Sequence, residues 1–540
     1  MAKYIFVTGG VVSGIGKGIT ASALGRLLKN CGLKVIAQKL DPYINVDAAL
    51  INPIEHGEAF VTEDGAETDL DLGHYERFID ENLNKYSTIS SGKIYWNVLQ
   101  KERSGEYLGQ TVQVIPHVTD EIKSFVYAAA KASDADVVIS EIGGTTGDIE
   151  GLPFLEAVRQ IHSEVGPGNS IFVHVTLVPY LYASHEYKSK PTQHSVKELQ
   201  SLGIFPDIIV IRSDGHVGDD IKRKIALFCN VNEDSVIENI NTPLLYEAPL
   251  LFEKQKFCEI VLNHLQIDAG PPDMYEWEAM IDKIGKREKE ITIGLVGKYT
   301  KLHDAYYSVA QALHHAGNEI GAKITIKWIE SEKVTYNNAA EHLSDVDCII
   351  VPGGFGERGI QGMIDACRYA RENNVPYFGI SLGMQVGVIE FARNVLGLAA
   401  ANSTEFDPQT SDPVVLLNKD QESASLKSSS MRLGAYPCNL ITDSRIHEIY
   451  GKEEISERHR HRYEINNDYI DRLEKEGMVI SGRSPDGSLV EALEIPDKDF
   501  FVGVGYHPEF KSRPNRAHPL FREFVKKAIF QKYNGENVSK

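Results

Sequence analysis

The sequence predicts two α/β domains in tandem, each built on a largely parallel sheet with helices on its faces. Two observations carry this. Short apolar runs at 4–7, 35–40, 136–142, 171–178 and 207–212 alternate with helical patterns through the first half, which is how βαβ units read. Near 268–290 that alternation breaks at Gly270-Pro271-Pro272 and a charged run ending Gly285-Lys286-Arg287-Glu288-Lys289-Glu290, and a new strand at 291–296 starts a second series. The expected division is a first domain over 1–268, a linker over 269–290, a second domain over 291–535 and a frayed tail over 536–540. A chain of 540 residues also exceeds what one hydrophobic core organises.

Composition narrows the function classes. With 42% hydrophobic and 24% charged residues the chain is an ordinary soluble globular protein. A net charge of −20 argues against a nucleic-acid surface. No apolar run approaches the ~18 residues of a membrane span, and the first residues enter a strand at once, without a signal peptide. The six cysteines form no C-x-x-C pair; they read as reduced thiols of a cytoplasmic protein, not as a disulfide frame or zinc site. There are no repeats, and the one low-complexity tract, Ser428-Ser429-Ser430, falls in an expected loop.

In the first half, the strand at 4–7 runs into Thr8-Gly9-Gly10-Val11-Val12-Ser13-Gly14-Ile15-Gly16-Lys17-Gly18, and a helix follows over 19–30 with Ala21, Leu24, Leu27 and Leu28 on one face. Strand, glycine turn and helix start make a phosphate cradle: backbone N–H groups and the helix dipole face the anion, and Lys17 adds charge. The G-x-x-x-x-G-K-[ST] pattern is incomplete. Gly10 lies one residue too far from Gly16-Lys17, and Gly18 stands where a hydroxyl would meet a metal. Ligands of a parallel sheet sit beyond the carboxyl ends of its strands. Lys39 and Asp41 lie at one such end, and Glu141, before Gly143-Gly144-Thr145, at another. The acidic stretch 62–71 precedes a helical pattern around 74–78; with Glu141 it suits Mg²⁺, though acidic residues also serve simply to polarise a helix start. Lys188-Ser189-Lys190-Pro191-Thr192-Gln193-His194 reads as a loop whose cations suit a second polyphosphate, or as plain solvated surface.

The second half carries Gly379-Ile380-Ser381-Leu382-Gly383 between a strand and a helix leaving towards Arg393. Glycines two residues either side of Ser381 let a nucleophile stand on a sharp exposed turn. Val351-Pro352-Gly353-Gly354 ends another strand with N–H groups free for an oxyanion hole. In an extended segment His507 and Glu509 would point the same way, one carboxylate orienting one imidazole. Read literally this is a serine hydrolase, but the α/β-hydrolase order places the acid before the histidine. Arg458-His459-Arg460-His461-Arg462 reads, on composition, as a solvated strand or loop.

Together these motifs resemble the CTP synthase family, glutamine-dependent ligases that aminate UTP, over nearly the whole chain. The resemblance rests on the glycine loop, Lys39-Leu40-Asp41-Pro42-Tyr43-Ile44-Asn45-Val46-Asp47, the stretch 63–74, Glu141-Ile142-Gly143-Gly144-Thr145 and Lys190-Pro191-Thr192-Gln193-His194-Ser195-Val196. It implies a P-loop-like synthetase domain followed by a class I (triad) glutamine amidotransferase domain. By the same resemblance Ser13, Gly14, Ile15, Gly16, Lys17, Gly18 and Asp71 would bind ATP, with Lys17 and Lys39 catalytic and Asp71 and Glu141 holding Mg²⁺. Ser13, Asp148, Ile149, Glu150, Lys188, Ser189, Lys190, Pro191, Thr192, Gln193 and Lys224 would surround UTP or the feedback inhibitor CTP. Gly354, Leu382, Gly383, Met384, Gln385, Glu405 and Arg462 would hold glutamine, beside a triad completed by His507 and Glu509. Pro53, His56 and Ala59 resemble the family's segment near the mouth of an ammonia passage, where His56 is either a gate or a structural histidine. A homotetramer, filaments and activation by GTP are further implications.

One position departs from the family. Its nucleophilic cysteine is absent, and Ser381 stands in its place. A thiol yields a thiolate with modest help, whereas a hydroxyl must lose its proton during attack. The glutamine half-reaction is therefore expected to be nearly dead, leaving free ammonia as nitrogen source. A deliberate substitution that holds glutamine unturned fits the otherwise intact motifs better than a natural loss. Other readings are a nucleotide-regulated P-loop ATPase, or a metabolic polymer with a degenerate glutaminase domain.

Overall fold

The structure is a computed structural model, and its described residues are 2–46, 57–417 and 431–534. Pro53, His56, the 428–430 tract and the tail 536–540 lie outside them. The chain divides into two compact units: Met1–Ile51 with Asp71–Ile281, and Asn52–Leu70 with Asp282–Lys540.

The first unit is built on a seven-stranded parallel sheet. In chain order the strands are β1 (Lys3–Gly9), β2 (Val35–Asp41), β3 (Thr88–Ser90), β4 (Val137–Ile142), β5 (Ser170–Leu177), β6 (Ile208–Ser213) and β7 (Val236–Ile240). Their spatial order is β7-β6-β5-β1-β4-β2-β3, and every pairing is parallel. The inner strands are buried along nearly their whole length, so they read as unbroken apolar runs rather than alternating ones. β3 and β7 were not legible, being short and edge-placed. Helix α1 (Lys17–Asn30) lies against the sheet through Ala23, Leu24, Leu27 and Leu28, all fully buried; each leucine is worth about 1.5–3 kcal/mol of burial. Two further helices matter to the site, α2 (Leu70–Ile79) and α3 (Lys190–Ser201).

The second unit carries a nine-stranded mixed sheet. Its strands are β8 (Lys289–Gly297), β9 (Ala322–Glu330), β10 (Cys348–Val351), β11 (Tyr377–Ile380), β12 (Arg432–Leu440), β13 (Glu454–His461), β14 (Val479–Arg483), β15 (Val490–Glu494) and β16 (Phe501–Val504). The order is β9-β8-β10-β11-β16-β15-β14-β12-β13. It is parallel from β9 to β16 and antiparallel beyond. Two apolar clusters form its core, one including Val351, Leu382 and Phe501, the other Phe378, Val502 and Phe524. Helix α4 (Leu382–Asn394) follows β11 and is almost wholly buried.

Three expectations need correction. The stretch read as a linker contains a helix, Tyr275–Gly285, and the start of β8; Trp277 is 2% exposed and donates from Nε1 to the Tyr246 carbonyl at 2.8 Å, and one buried indole anchors what charge made look like a tether. The expected boundary at 268 also misses that 52–70 groups with the second unit. There Glu63 pairs with Arg458 and Lys511, both at 2.9 Å, and Glu67 with Arg460 at 2.8 Å. Those same pairs overturn the solvated reading of 458–462: Arg458 and His459 are fully buried within β13, as charged residues are only when paired.

Candidate active sites

In the first unit, β1 ends at Gly9 and the chain turns through left-handed backbone at Gly14 and Gly16 before α1 begins. A cavity of about 290 Å³ opens there, lined by residues 13–19 together with Lys39, Asp41, Asp71, His74, Glu141, Gly143 and Gly144. The ends of β1, β2 and β4 deliver the loop, Lys39 with Asp41, and Glu141, as the switch-point rule for parallel sheets requires. Lys39 pairs with Asp71 and, at 2.9 Å, with Glu141; Tyr75 donates its hydroxyl to Glu141. Lys17 donates to the Gly144 carbonyl at 2.5 Å.

The charges in this cavity shape one another. Burial alone would strip Lys39 of its proton, but Asp71, Glu141 and Asp41 hold its pKa well above the ordinary lysine value. Burial, aided by the neighbouring carboxylates Asp71 and Glu141 against Lys39 and Lys17, lifts Asp41 to about 7. Burial with nearby Arg77 and Lys39 lowers His74 to about 3, so its imidazole is neutral. Burial also lowers Lys17, against the pull of Glu141.

Gly18 explains the departure from the P-loop pattern. A Cβ there would sit 3.2 Å from Asp71 Oδ1 and 3.3 Å from Glu141 Oε2; two carboxylates occupy the room a hydroxyl side chain would need. They come from separate segments and flank one bare point at the helix start. No group of three or more potential metal ligands occurs among the described residues, yet Mg²⁺ takes one or two carboxylates and fills its shell with phosphate oxygens and water. The pair fits that ion. Glu63 and Glu67 of the acidic stretch are committed elsewhere, to Arg458 with Lys511 and to Arg460.

Of the residues expected around UTP, only Ser13 lines this cavity. Asp148, Ile149 and Glu150 are exposed, and Asp148 accepts from the Thr145 N–H at 2.8 Å. Lys188 pairs with Glu186 at 2.5 Å, and Lys224, also exposed, acts on the same carboxylate. Lys190–Gln193 are not a loop but the first turn of α3, with Pro191 in the opening position it favours. Thr192 and Gln193 turn inwards, bonding to the Leu177 carbonyl at 3.1 Å and the Ser189 hydroxyl at 3.1 Å.

In the second unit Ser381 sits between β11 and α4 at φ 52°, ψ −104°, a strained conformation typical of functional turns. Both flanking glycines are compulsory. A Cβ on Gly379 would lie 2.6 Å from the Gly383 carbonyl carbon, and one on Gly383 2.1 Å from the Val351 carbonyl oxygen. β11 lies between β10 and β16, so Ser381, the Gly353-Gly354 turn and His507 all emerge at the same strand ends. The Ser381 N–H donates to Val504 at 2.7 Å. His507 Nδ1 lies 2.7 Å from Glu509 Oε1. The pairing is as expected but its geometry is not: a 3₁₀ turn over Pro508–Lys511, not extended chain, brings the two together. A cavity of about 80 Å³ runs from His507 and Glu509 past Gly353 and Gly354 to Glu58 and Ala59.

The expected glutamine residues gather in part. Glu405 Oε1 accepts the Gly356 N–H at 2.7 Å; burial raises its pKa against that bond, Lys298 and Arg462. Arg462 Nε is buried without a hydrogen-bond partner among the described residues. Leu382 packs against Gly354, and Gln385 donates to the Tyr463 carbonyl at 3.1 Å. Met384 does not join them: its side chain packs into the core beside Gly503 and Gly505. Lys298 went unnoticed in the sequence. It caps β8, donates to the carbonyls of Phe355 (2.9 Å) and Gly356, and is lowered by burial to about 8; its place at the carboxyl end of a predicted strand was the available signal.

Similarity to known proteins decides the family. The CTP synthase N-terminus model matches residues 3–267, and the class-I glutamine amidotransferase model matches 301–527. A CTP synthase of Clostridium acetobutylicum is 59% identical over 97% of this chain and 98% of its own. The chain belongs to the CTP synthase family. Another CTP synthase, of Staphylococcus aureus strain JH9, is 57% identical over 99% of this chain and 100% of its own. The glutaminase domain of Trypanosoma brucei CTPS, solved with bound acivicin, is 38% identical, covers 44% of this chain and 93% of its own, and superposes with a TM-score of 0.42. The family models divide the chain where its two sheets do, matching a parallel-sheet N-terminal half and an amidotransferase-like C-terminal half. No helix among the described residues is long and apolar enough to cross a membrane.

Proposed function

We propose that the chain makes CTP by ATP-dependent amination of UTP, and that Ser381 restricts it to free ammonia. The observation that carries this is the pairing of an intact phosphate cavity, with Lys17, Lys39, Asp71 and Glu141 converging on it, with an elbow whose nucleophile position holds oxygen in place of sulfur. ATP would seat its phosphates on residues 13–18, with Lys17 and Lys39 neutralising charge as the γ-phosphoryl passes to O4 of uracil. Phosphoryl transfer needs positioning and charge compensation more than covalent help. Ammonia then attacks C4 and phosphate leaves. Asp71 and Glu141 are the residues that would hold Mg²⁺, which when bound neutralises phosphate charge. In the second unit Arg462 and Glu405 would grip glutamine's α-carboxylate and amino group, Gly353-Gly354 would donate to the oxyanion, and His507 held by Glu509 would act as base.

Uridine would be bound by Asp148, Ile149, Glu150, Lys188–Gln193 and Lys224. Asp148, Ile149, Glu150, Lys190 and Lys224 are exposed while Ser189, Thr192 and Gln193 are buried, and the exposed members fit a site completed by another copy in a homotetramer, with CTP as a competing inhibitor. GTP as activator, filament formation and a cytoplasmic setting complete the reading. Ammonium chloride, UTP, ATP and Mg²⁺ at alkaline pH should give the absorbance change from UTP to CTP, and glutamine in place of ammonium almost none. No CTP with ammonium overturns the synthetase reading; equal rates with both overturn the role given to Ser381.

A further inference from the structure

We propose that His174 is a positioning residue that ties the phosphate loop to helix α3, so that ATP seated on one orders the other for UTP; this rests on the nucleotide roles proposed above. His174 lies on β5 directly opposite Thr8 of β1 in the parallel register. Its Nδ1 is 2.9 Å from Thr8 Oγ1, and its Nε2 is 2.8 Å from Ser195 Oγ on α3. Thr8, His174 and Ser195 are 1%, 0% and 8% exposed, so water does not compete for these bonds. Thr8 immediately precedes the glycine loop, and Ser195 lies two residues beyond Gln193, the last residue of the proposed uridine set on α3.

The ring is neutral, because burial and then the charge of Lys17 depress its pKa to about 3. A neutral imidazole donates from one nitrogen and accepts at the other, so both hydroxyls are satisfied in one fixed orientation and no proton need move. The contact is also steric. A Cβ on Gly10 would fall 1.6 Å from Ser195 Oγ and 3.3 Å from His174 Nε2; the loop backbone rests on the serine and the imidazole together. Gly10, one residue out of place for the ordinary phosphate-loop pattern, is therefore required by this contact. A displacement of the loop on binding phosphate reaches α3 through two short buried bonds, and by linkage a ligand on α3 acts back on the loop with the same factor.

The experiment measures UTP affinity by calorimetry with and without a non-hydrolysable ATP analogue. In the unsubstituted chain the analogue should tighten UTP. His174→Asn retains a partner for Thr8 but not for Ser195, and should reduce that tightening by about fivefold to tenfold, the scale of one buried hydrogen bond, while leaving affinity for the analogue alone within about twofold. Ser195→Ala should do the same with less disturbance and decides the matter if His174→Asn does not fold. His174→Gln reaches the Nε2 position and should recover most of the coupling. In ammonia-driven turnover the Asn variant should raise KM for UTP and change kcat little. The proposal is overturned if both nucleotides weaken equally, or if the tightening survives in His174→Asn and Ser195→Ala. If the unsubstituted chain binds the analogue but no UTP, the uridine reading of α3 is wrong independently of His174.

Discussion

At the scale of residues, the phosphate-loop cavity of the first unit is a charge balance in a small space. Lys39 stays protonated because two carboxylates touch it, and Lys17 reaches the edge of the same cavity. Replacing Lys17 by Ala removes a cation from the transferring phosphates and should lower ammonia-driven CTP formation at least ~10²-fold, the loss typical of a transition-state contact; a rate within a few-fold of the parent contradicts the assignment. Asp41 gives a stability prediction. Its folded pKa of about 7 lies above the 3.8 of a free aspartate. Between those values the folded state holds a proton that the unfolded state lacks. The associated stability is fully present below about pH 4 and is lost as pH rises through 7. Asp41→Asn mimics the protonated form at every pH, so its Tm should match the parent's at about pH 4, exceed it increasingly from there to about pH 7, and keep a constant margin above that. Parallel Tm curves across that range would show that Asp41 titrates normally.

At the scale of elements, the elbow and the buried basic strand show where the sequence speaks and where it falls silent. The elbow was legible because its constraint is local: two glycines must sit two residues from Ser381 for β11 to turn into α4. Gly383→Ala drives a Cβ into the Val351 carbonyl oxygen at 2.1 Å. Main chain cannot step aside as a side chain does, and overpacking of this kind costs about 1–3 kcal/mol or more. In calorimetry the amidotransferase transition should fall by several degrees, with the synthetase transition unmoved; no change in either would mean the turn is looser than described. β13 was misread because its partners are remote in sequence. Nothing in Arg458-His459-Arg460-His461-Arg462 announces that Glu63 and Glu67 lie beside it. Glu67→Gln leaves Arg460, 15% exposed as a side chain, with a weaker partner and should destabilise the second unit by about 1–3 kcal/mol, read as a lower denaturation midpoint; an unchanged midpoint would make the pair ornamental. The start of α3 reads as a loop from its cations and turn-forming residues, and the local sign of a helix start there is Pro191 in the first turn.

At the scale of the whole molecule, the two α/β series and the order of the domains could be read from local motifs. The grouping of 52–70 with the second unit could not, since it depends on pairs some 390 residues apart in the chain. The His507–Glu509 contact and the unpartnered Nε of Arg462 stand beside the elbow, and on the proposed function one atom at residue 381 separates this chain from glutamine-driven synthesis. The direct measurement compares CTP formation and glutamate release in the parent and in Ser381→Cys, each with glutamine and with ammonium chloride. Equal ammonium rates are expected in both, with almost no glutamate from the parent despite calorimetric glutamine binding, and restored glutamine-driven CTP in Ser381→Cys with a trappable glutamyl adduct. A Ser381→Cys chain that works with ammonium and remains inert to glutamine would contradict it.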